Sequence, residues 1–229
     1  VGVLAAEKTV NRLGARKIKT TTAPVLFIPE LARGFIGHAI GAIAGGAQYR
    51  RSSFLLDAVG EKIFPKFVQI QERPHIPRAT ASRWYDSEGV ATYDRDIVTD
   101  GELRSYVLSS YSARRLGLET TANAGGAQNL LIPGSDTNMK QLIADMGTGL
   151  IVEELIGQGV NTVTGDYSRG AVGHWVENGE IQFAVHEVTI AGNLRELYQR
   201  IVAIGNDQDL RGGMRCGSLL VEEMTIAGA

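Results

Sequence analysis

Residues 29–47, Pro-Glu-Leu-Ala-Arg-Gly-Phe-Ile-Gly-His-Ala-Ile-Gly-Ala-Ile-Ala-Gly-Gly-Ala, constrain this chain more than any other stretch. They predict a buried helix. Pro29 suits a first helical position, where its missing N–H would be unpaired anyway, and Glu30 complements the positive end of the helix dipole. Leu31, Phe35, Ala39 and Ile43 recur every fourth residue, with Ile36 and Ile40 widening the face they form. That face belongs in a core. Gly37, Gly41 and Gly45 recur at the same interval, although each costs roughly 1 kcal/mol of helix stability relative to Ala. Such a ridge lets another backbone come close. Arg33 and the Arg50-Arg51 pair bracket an uncharged window well short of the roughly 20 apolar residues of a membrane span, so no membrane partner is expected.

With 229 residues the chain has ample core for one large domain or two small ones. A formal charge of -2 gives no electrostatic reason to expect nucleic acid as a partner. Its single cysteine excludes an intrachain disulfide and suits the reducing cytosol, so a cytoplasmic location is expected.

Residues 5–14 predict a helix with Ala6, Val10 and Leu13 on one face and a glycine stop. Residues 17–22 read as an edge strand, 25–28 as a short buried strand and 61–72 as a strand ending before Pro74. Asp100-Gly101 marks a hairpin, with 107–113 as a returning strand. The run from Arg104 to Arg115 also carries Tyr106, Tyr111 and Arg114, candidates for holding a peptide carboxylate or backbone. Exposed strands carry Tyr and Arg without a ligand as well.

Residues 120–128 form a glycine-rich loop that lacks the spacing and lysine of a phosphate loop. A helix at 139–147, capped by 135–138, leads to a strand at 147–152. Short strands follow at 162–168, 171–176, 180–185 and 187–192, with Asn178-Gly179 as a strong hairpin signal. Residues 193–205 read as an amphipathic helix with Leu194, Leu197, Ile201 and Ile204 inward, and 216–226 as a last strand. The expected class is α+β, β-rich, with mostly antiparallel sheets in a sandwich or barrel and a few packed helices. His75 reads as a loop residue, and His174 and His186 as strand residues without a second ligand at metal spacing. Asp166, Ser168 and Arg169 read as turn stabilisers, because no histidine or nucleophile elbow accompanies them. Cys216 reads as a small buried hydrophobe.

Several runs carry a resemblance. Ala15-Arg16-Lys17, Ala23-Pro24-Val25-Leu26-Phe27, Asp86-Ser87-Glu88-Gly89-Val90, residues 108–114 (Leu-Ser-Ser-Tyr-Ser-Ala-Arg), 164–170 (Thr-Gly-Asp-Tyr-Ser-Arg-Gly), 175–181 (Trp-Val-Glu-Asn-Gly-Glu-Ile) and Cys216-Gly217-Ser218 resemble the C-terminal domain of the TldD/TldE (PmbA) metalloprotease family, in its TldE (PmbA) branch. The resemblance implies that residues 1–229 are that domain and that 1–14 are the end of a linker helix from an N-terminal domain.

In the catalytic TldD branch the equivalent helix carries His-Glu-x-x-x-His, and a C-terminal cysteine completes a zinc site. Laid over this chain, the motif's first histidine falls on Gly37, its glutamate on His38 and its second histidine on Ala42, while Cys216 matches the cysteine. The resemblance therefore implies a chain with no catalytic residue, metal or cofactor of its own. It implies zinc in a TldD-type partner, and a heterodimer that processes unfolded or extended peptides, microcin precursors and an antitoxin among them. The family also carries the older description "modulator of DNA gyrase", which the charge does not support. Two other readings stand beside it: a stand-alone peptide-binding module working by strand addition, and an unusual metal site built from His38 and Cys216. A homo-oligomer is a further possibility.

Overall fold

The computed structural model describes residues 1–228. Six helices and eleven strands follow one another as α1 (Gly2–Val10), β1 (Thr21–Phe27), α2 (Pro29–Ala42), α3 (Gly45–Tyr49), β2 (Ile70–Glu72), β3 (Arg95–Thr99), β4 (Glu102–Leu103), α4 (Ser110–Leu116), β5 (Leu130–Leu131), α5 (Met139–Met146), β6 (Gly149–Ile156), β7 (Asp166–Glu177), β8 (Glu180–Asn193), α6 (Leu194–Gln199), β9 (Ile201–Ile204), β10 (Met214–Arg215) and β11 (Leu219–Ala227). The class is α+β, with a barrel. Strands β1-β6-β7-β8-β11 are neighbours in that order and β11 pairs back onto β1, so five strands close, while β9 extends the sheet beside β11. All of these pairings are antiparallel except β1 with β6, which is parallel. A second sheet has the order β10-β5-β2-β3-β4.

Alternation along the strands sorts the core into two. Val25 and Phe27 of β1, Leu150 and Val152 of β6, and Leu219 and Val221 of β11 join Phe35, Ile36 and Ala39 of α2 in the main cluster. The intervening Leu26, Ile151 and Leu220 point the other way, onto Leu142 and Met146 of α5. Helix α2 is thus anchored by one face. Phe35 stacks on Phe27 at 4.9 Å and meets Tyr167 and Tyr198 edge-on at 5.8 and 5.2 Å. The Tyr198 hydroxyl donates to the Phe35 carbonyl at 3.0 Å. Burial of an aromatic of this size stabilises by about 1.5–3 kcal/mol.

Both asparagine- or aspartate-glycine hairpins form as the sequence suggests. Asp100-Gly101 joins β3 to β4 with φ of 51° and 75°, and Asn178-Gly179 joins β7 to β8 with φ of 53° and 76°. The four short strands expected between 162 and 192 are instead two long ones, because bulges at Ala171/Gly173 and Trp175/Val176 bend the ladder without breaking it.

Other boundaries move for local reasons. The glycine helix stops at Ala42, since Val107 donates to the Ile43 carbonyl at 3.1 Å and accepts from Gly45 at 2.8 Å, drawing the backbone into a β-bridge. Gly45 then packs so closely on α4 that a Cβ there would overlap Ser112. Residues 17–20 are not strand; the strand starts at Thr21. Residues 61–69 wrap the Asp100-Gly101 turn, with Ile63 and Phe64 donating to the Gly101 carbonyl at 3.0 and 3.1 Å, which leaves only Ile70–Glu72 as strand. Residues 107–113 are not a strand. Ser109 and Ser112 form a capping box that opens α4, and Gly117 closes it at φ 70°. The helix expected over 193–205 ends at Gln199, after which Ile201–Ile204 pairs with β11.

Candidate functional site: the open side of the glycine helix

One side of α2 faces the core; the opposite side faces open space. Gly34 and Gly41 are exposed and Gly37 is half-buried, and a Cβ added at any of the three would meet nothing within 4 Å. Their role is not close packing inside this chain. His38, also on this helix, helps to line a cleft of about 540 Å³ with Leu155, Gly157, Gln158, Val160, Thr162 and Arg169. Its ring lies 6.0 Å from that of Tyr167, edge-on. Residues 169 and 167 come from β7, and 155 from β6, so the barrel wall carries one side of the cleft and α2 the other.

The electrostatics are unusual for lack of partners. Arg169 Nε is shut off from solvent with no hydrogen-bond partner, and so is the Tyr167 hydroxyl. Burial, and then the Arg169 charge, lower the pKa of His38 below the ordinary 6.5, so its imidazole is neutral at pH 7. Burial pushes the Tyr167 phenol up to about 12, which keeps it protonated. The cleft therefore holds one positive charge beside neutral hydrogen-bonding groups.

The positions that the resemblance lays on the zinc motif offer little to a metal. Gly37 and Ala42 bring no donor atom, and Ala42 is turned into the core with 1% exposure. Cys216 is fully buried, and burial followed by the nearby Asp207 pushes its thiol up to about 12, so no thiolate is available at neutral pH. Among the described residues no group of three or more His, Cys, Asp or Glu side chains is placed to hold a metal ion. The residues present do not fit zinc.

Comparison with known proteins shows the family. Residues 20–228 match the PmbA/TldA metallopeptidase C-terminal domain. The chain belongs to the PmbA/TldD metallopeptidase family. It is 53% identical to the Metalloprotease PmbA of Escherichia coli O157:H7 and 48% identical to the PmbA homolog of Haemophilus influenzae, covering 100% of this chain and 51% of each relative. The chain thus spans about half the length of these curated relatives. A crystal structure from Bacteroides thetaiotaomicron, described as a candidate modulator of DNA gyrase, superposes with a TM-score of 0.96 at 32% identity over 100% of this chain and 52% of that one. The crystal structure of TldE from Thermococcus kodakarensis shares the fold, with a TM-score of 0.86 at 24% identity over 99% of this chain and 55% of that one.

Other candidate residues are scattered relative to the family's motif helix. Tyr111 and Arg114 sit one helical turn apart on α4 and are exposed, with Tyr111 edge-on to Tyr49 at 5.7 Å. Tyr106 lies before that helix, half-buried and packed against the main core. His75 stacks on Trp84 at 4.5 Å and pairs with Thr92 Oγ1 at 3.0 Å. His186 lies 3.6 Å from the exposed Glu187. His174 contacts Glu153 and holds the carbonyl of Asn11 at 3.1 Å. Asp166, the first residue of β7, accepts from Thr164 Oγ1 of the preceding turn at 2.6 Å, and Ser168 is likewise a strand residue. Arg169 was expected in that same turn; it is a strand residue of β7 and lines the cleft.

No helix of the described residues is long and apolar enough to cross a membrane.

Proposed function

We propose that this chain is the non-catalytic subunit of a heterodimeric peptidase, in which a TldD-type partner carries zinc and this chain helps to hold an extended peptide. The observation that carries the reading is the replacement of both motif histidines by Gly37 and Ala42 on a helix whose glycine side stands open. That open side would face the partner's chamber. Strand addition to a stand-alone module is the second reading: β8 pairs with β11 only at Thr189–Ala191, and Arg16 bridges its earlier half at Val185, so Glu180–Val188 offers a partly free edge.

The test is cleavage of an unstructured peptide by this chain, by a TldD-type subunit, and by both together. Turnover that requires both and is abolished by chelation supports the proposal. Chelator-sensitive cleavage by this chain alone overturns it.

A further inference from the structure

A guanidinium in a folded protein ordinarily meets a carboxylate, a carbonyl or water, since burying an unpaired polar group costs about 1–3 kcal/mol and a charged one more. Among the described residues Arg169 has no ion-pair partner; its Nε is closed off without a hydrogen bond, and the terminal Nη nitrogens of this half-buried side chain are the groups a ligand can reach. Its neighbours in the cleft are apolar (Leu155, Val160), neutral and polar (Gln158, Thr162), or the neutral imidazole of His38. The nearby phenol of Tyr167 is 1% exposed and its hydroxyl is unsatisfied too.

We propose that the cleft between α2 and the β6–β7 wall is a carboxylate subsite in which Arg169 receives the C-terminal carboxylate of an extended peptide and Leu155 and Val160 receive its last side chain. This assignment rests on the peptide-holding role above and adds the end of the peptide that is recognised. A planar guanidinium matches a carboxylate in a bidentate fork. One positive charge suits a monoanion better than a phosphate dianion, and the volume of about 540 Å³ leaves room for a terminal residue. Neutral His38 is free to donate a further hydrogen bond to the bound oxygen.

The experiment is a calorimetric titration of the full chain with an N-acetylated hexapeptide ending in leucine, as the free acid and as the C-terminal amide. The acid is expected to bind at least about tenfold tighter than the amide, as a charge-assisted hydrogen bond of about 1.5–3 kcal/mol implies. Arg169→Gln is expected to erase that difference and Arg169→Lys to restore part of it, with both variants folded as judged by circular dichroism. The Arg169 side-chain Nε–H resonance, followed by NMR, is expected to shift with the acid and not with the amide.

Equal affinity for acid and amide, no binding of either, an acid preference that survives in Arg169→Gln, or tighter binding of inorganic phosphate than of the peptide acid would each overturn the assignment. None of these outcomes bears on whether the chain needs a catalytic partner, which the cleavage assay decides separately.

Discussion

Arg95 donates from Nε to Glu72 Oε2 at 2.6 Å, with the two side chains 8% and 1% exposed. The pair is fully dressed. Arg95 also donates to Ser105 Oγ, the Tyr106 carbonyl and Asn123 Oδ1, while Glu72 Oε1 accepts from Asn123 Nδ2 and the Gln128 backbone. The network ties β2 and β3 of the small sheet to the loops beside them. Removing one partner leaves a buried charge unpaired, so Arg95→Ala is expected to destabilise the chain by about 3–5 kcal/mol. The double variant Glu72→Met with Arg95→Met is expected to lose much less than the sum of the single changes. Urea denaturation of the three variants measures both.

The open side of α2 leads to the opposite expectation. Gly37→Ala and Gly41→Ala add a methyl group where no atom lies within 4 Å, and each should raise stability by about 0.5–1 kcal/mol through helix propensity. If this side faces a partner, the same pair of changes weakens complex formation. Thermal melts of the isolated chain and co-elution with a TldD-type subunit would therefore move in opposite directions.

Cys216 is predicted to be inert. Its burial and raised pKa keep both thiolate and access low, so a thiol reagent such as DTNB should leave the native chain unlabelled at neutral pH and react with one equivalent after unfolding. Rapid labelling of the native chain would contradict its place in the core.

His174 carries a pH dependence with a defined sign. The Glu153 carboxylate, 3.4 Å from its Nδ1, raises its pKa above 6.5, and the Asn11 carbonyl adds to the shift. A folded-state pKa raised above the unfolded one gives stability that is fully present below the unfolded value and lost as pH rises through the folded value. The stability gap between the wild-type chain and His174→Gln should therefore be larger at pH 6 than at pH 9. Since His174 also holds the Asn11 carbonyl, protection of the amides around residues 11–14, relative to their intrinsic exchange rates, should fall over the same range.

What could be read from the sequence was local. Asn178-Gly179 and Asp100-Gly101 demand positive φ, and hairpins formed at both; the apolar stripe of α2 went into the core as its spacing required. Misreadings came where two periods coincide or where a remote segment decides. Ile201 and Ile204 fit a helical stripe with Leu194 and Leu197, but pairing with Leu219 and Val221 turned them into strand. Ser109, Ser112 and Gly117 were visible signals for α4 that the alternating look of 107–113 outweighed. Arg169 carried no signal of its own, since the cleft exists only after β7 is brought near His38 of α2. The motif positions Gly37, His38 and Ala42 were legible by resemblance alone; that Gly37 looks outward and Ala42 inward required the packed helix.

Closure of the barrel sets an order of events. β1 takes its place between β6 and β11, and β11 lies near the far end of the chain, pairing with Thr21–Phe27 through Leu219–Ile226. During synthesis, β1 and α2 emerge long before the strand that seals them, so their apolar residues wait with one flank unpaired. Contacts this distant in sequence make for slow folding and a period of exposure to aggregation. A nascent chain stopped short of Leu219 would leave Val25 and Phe27 open on the side where β11 belongs, a natural point for chaperones to hold it.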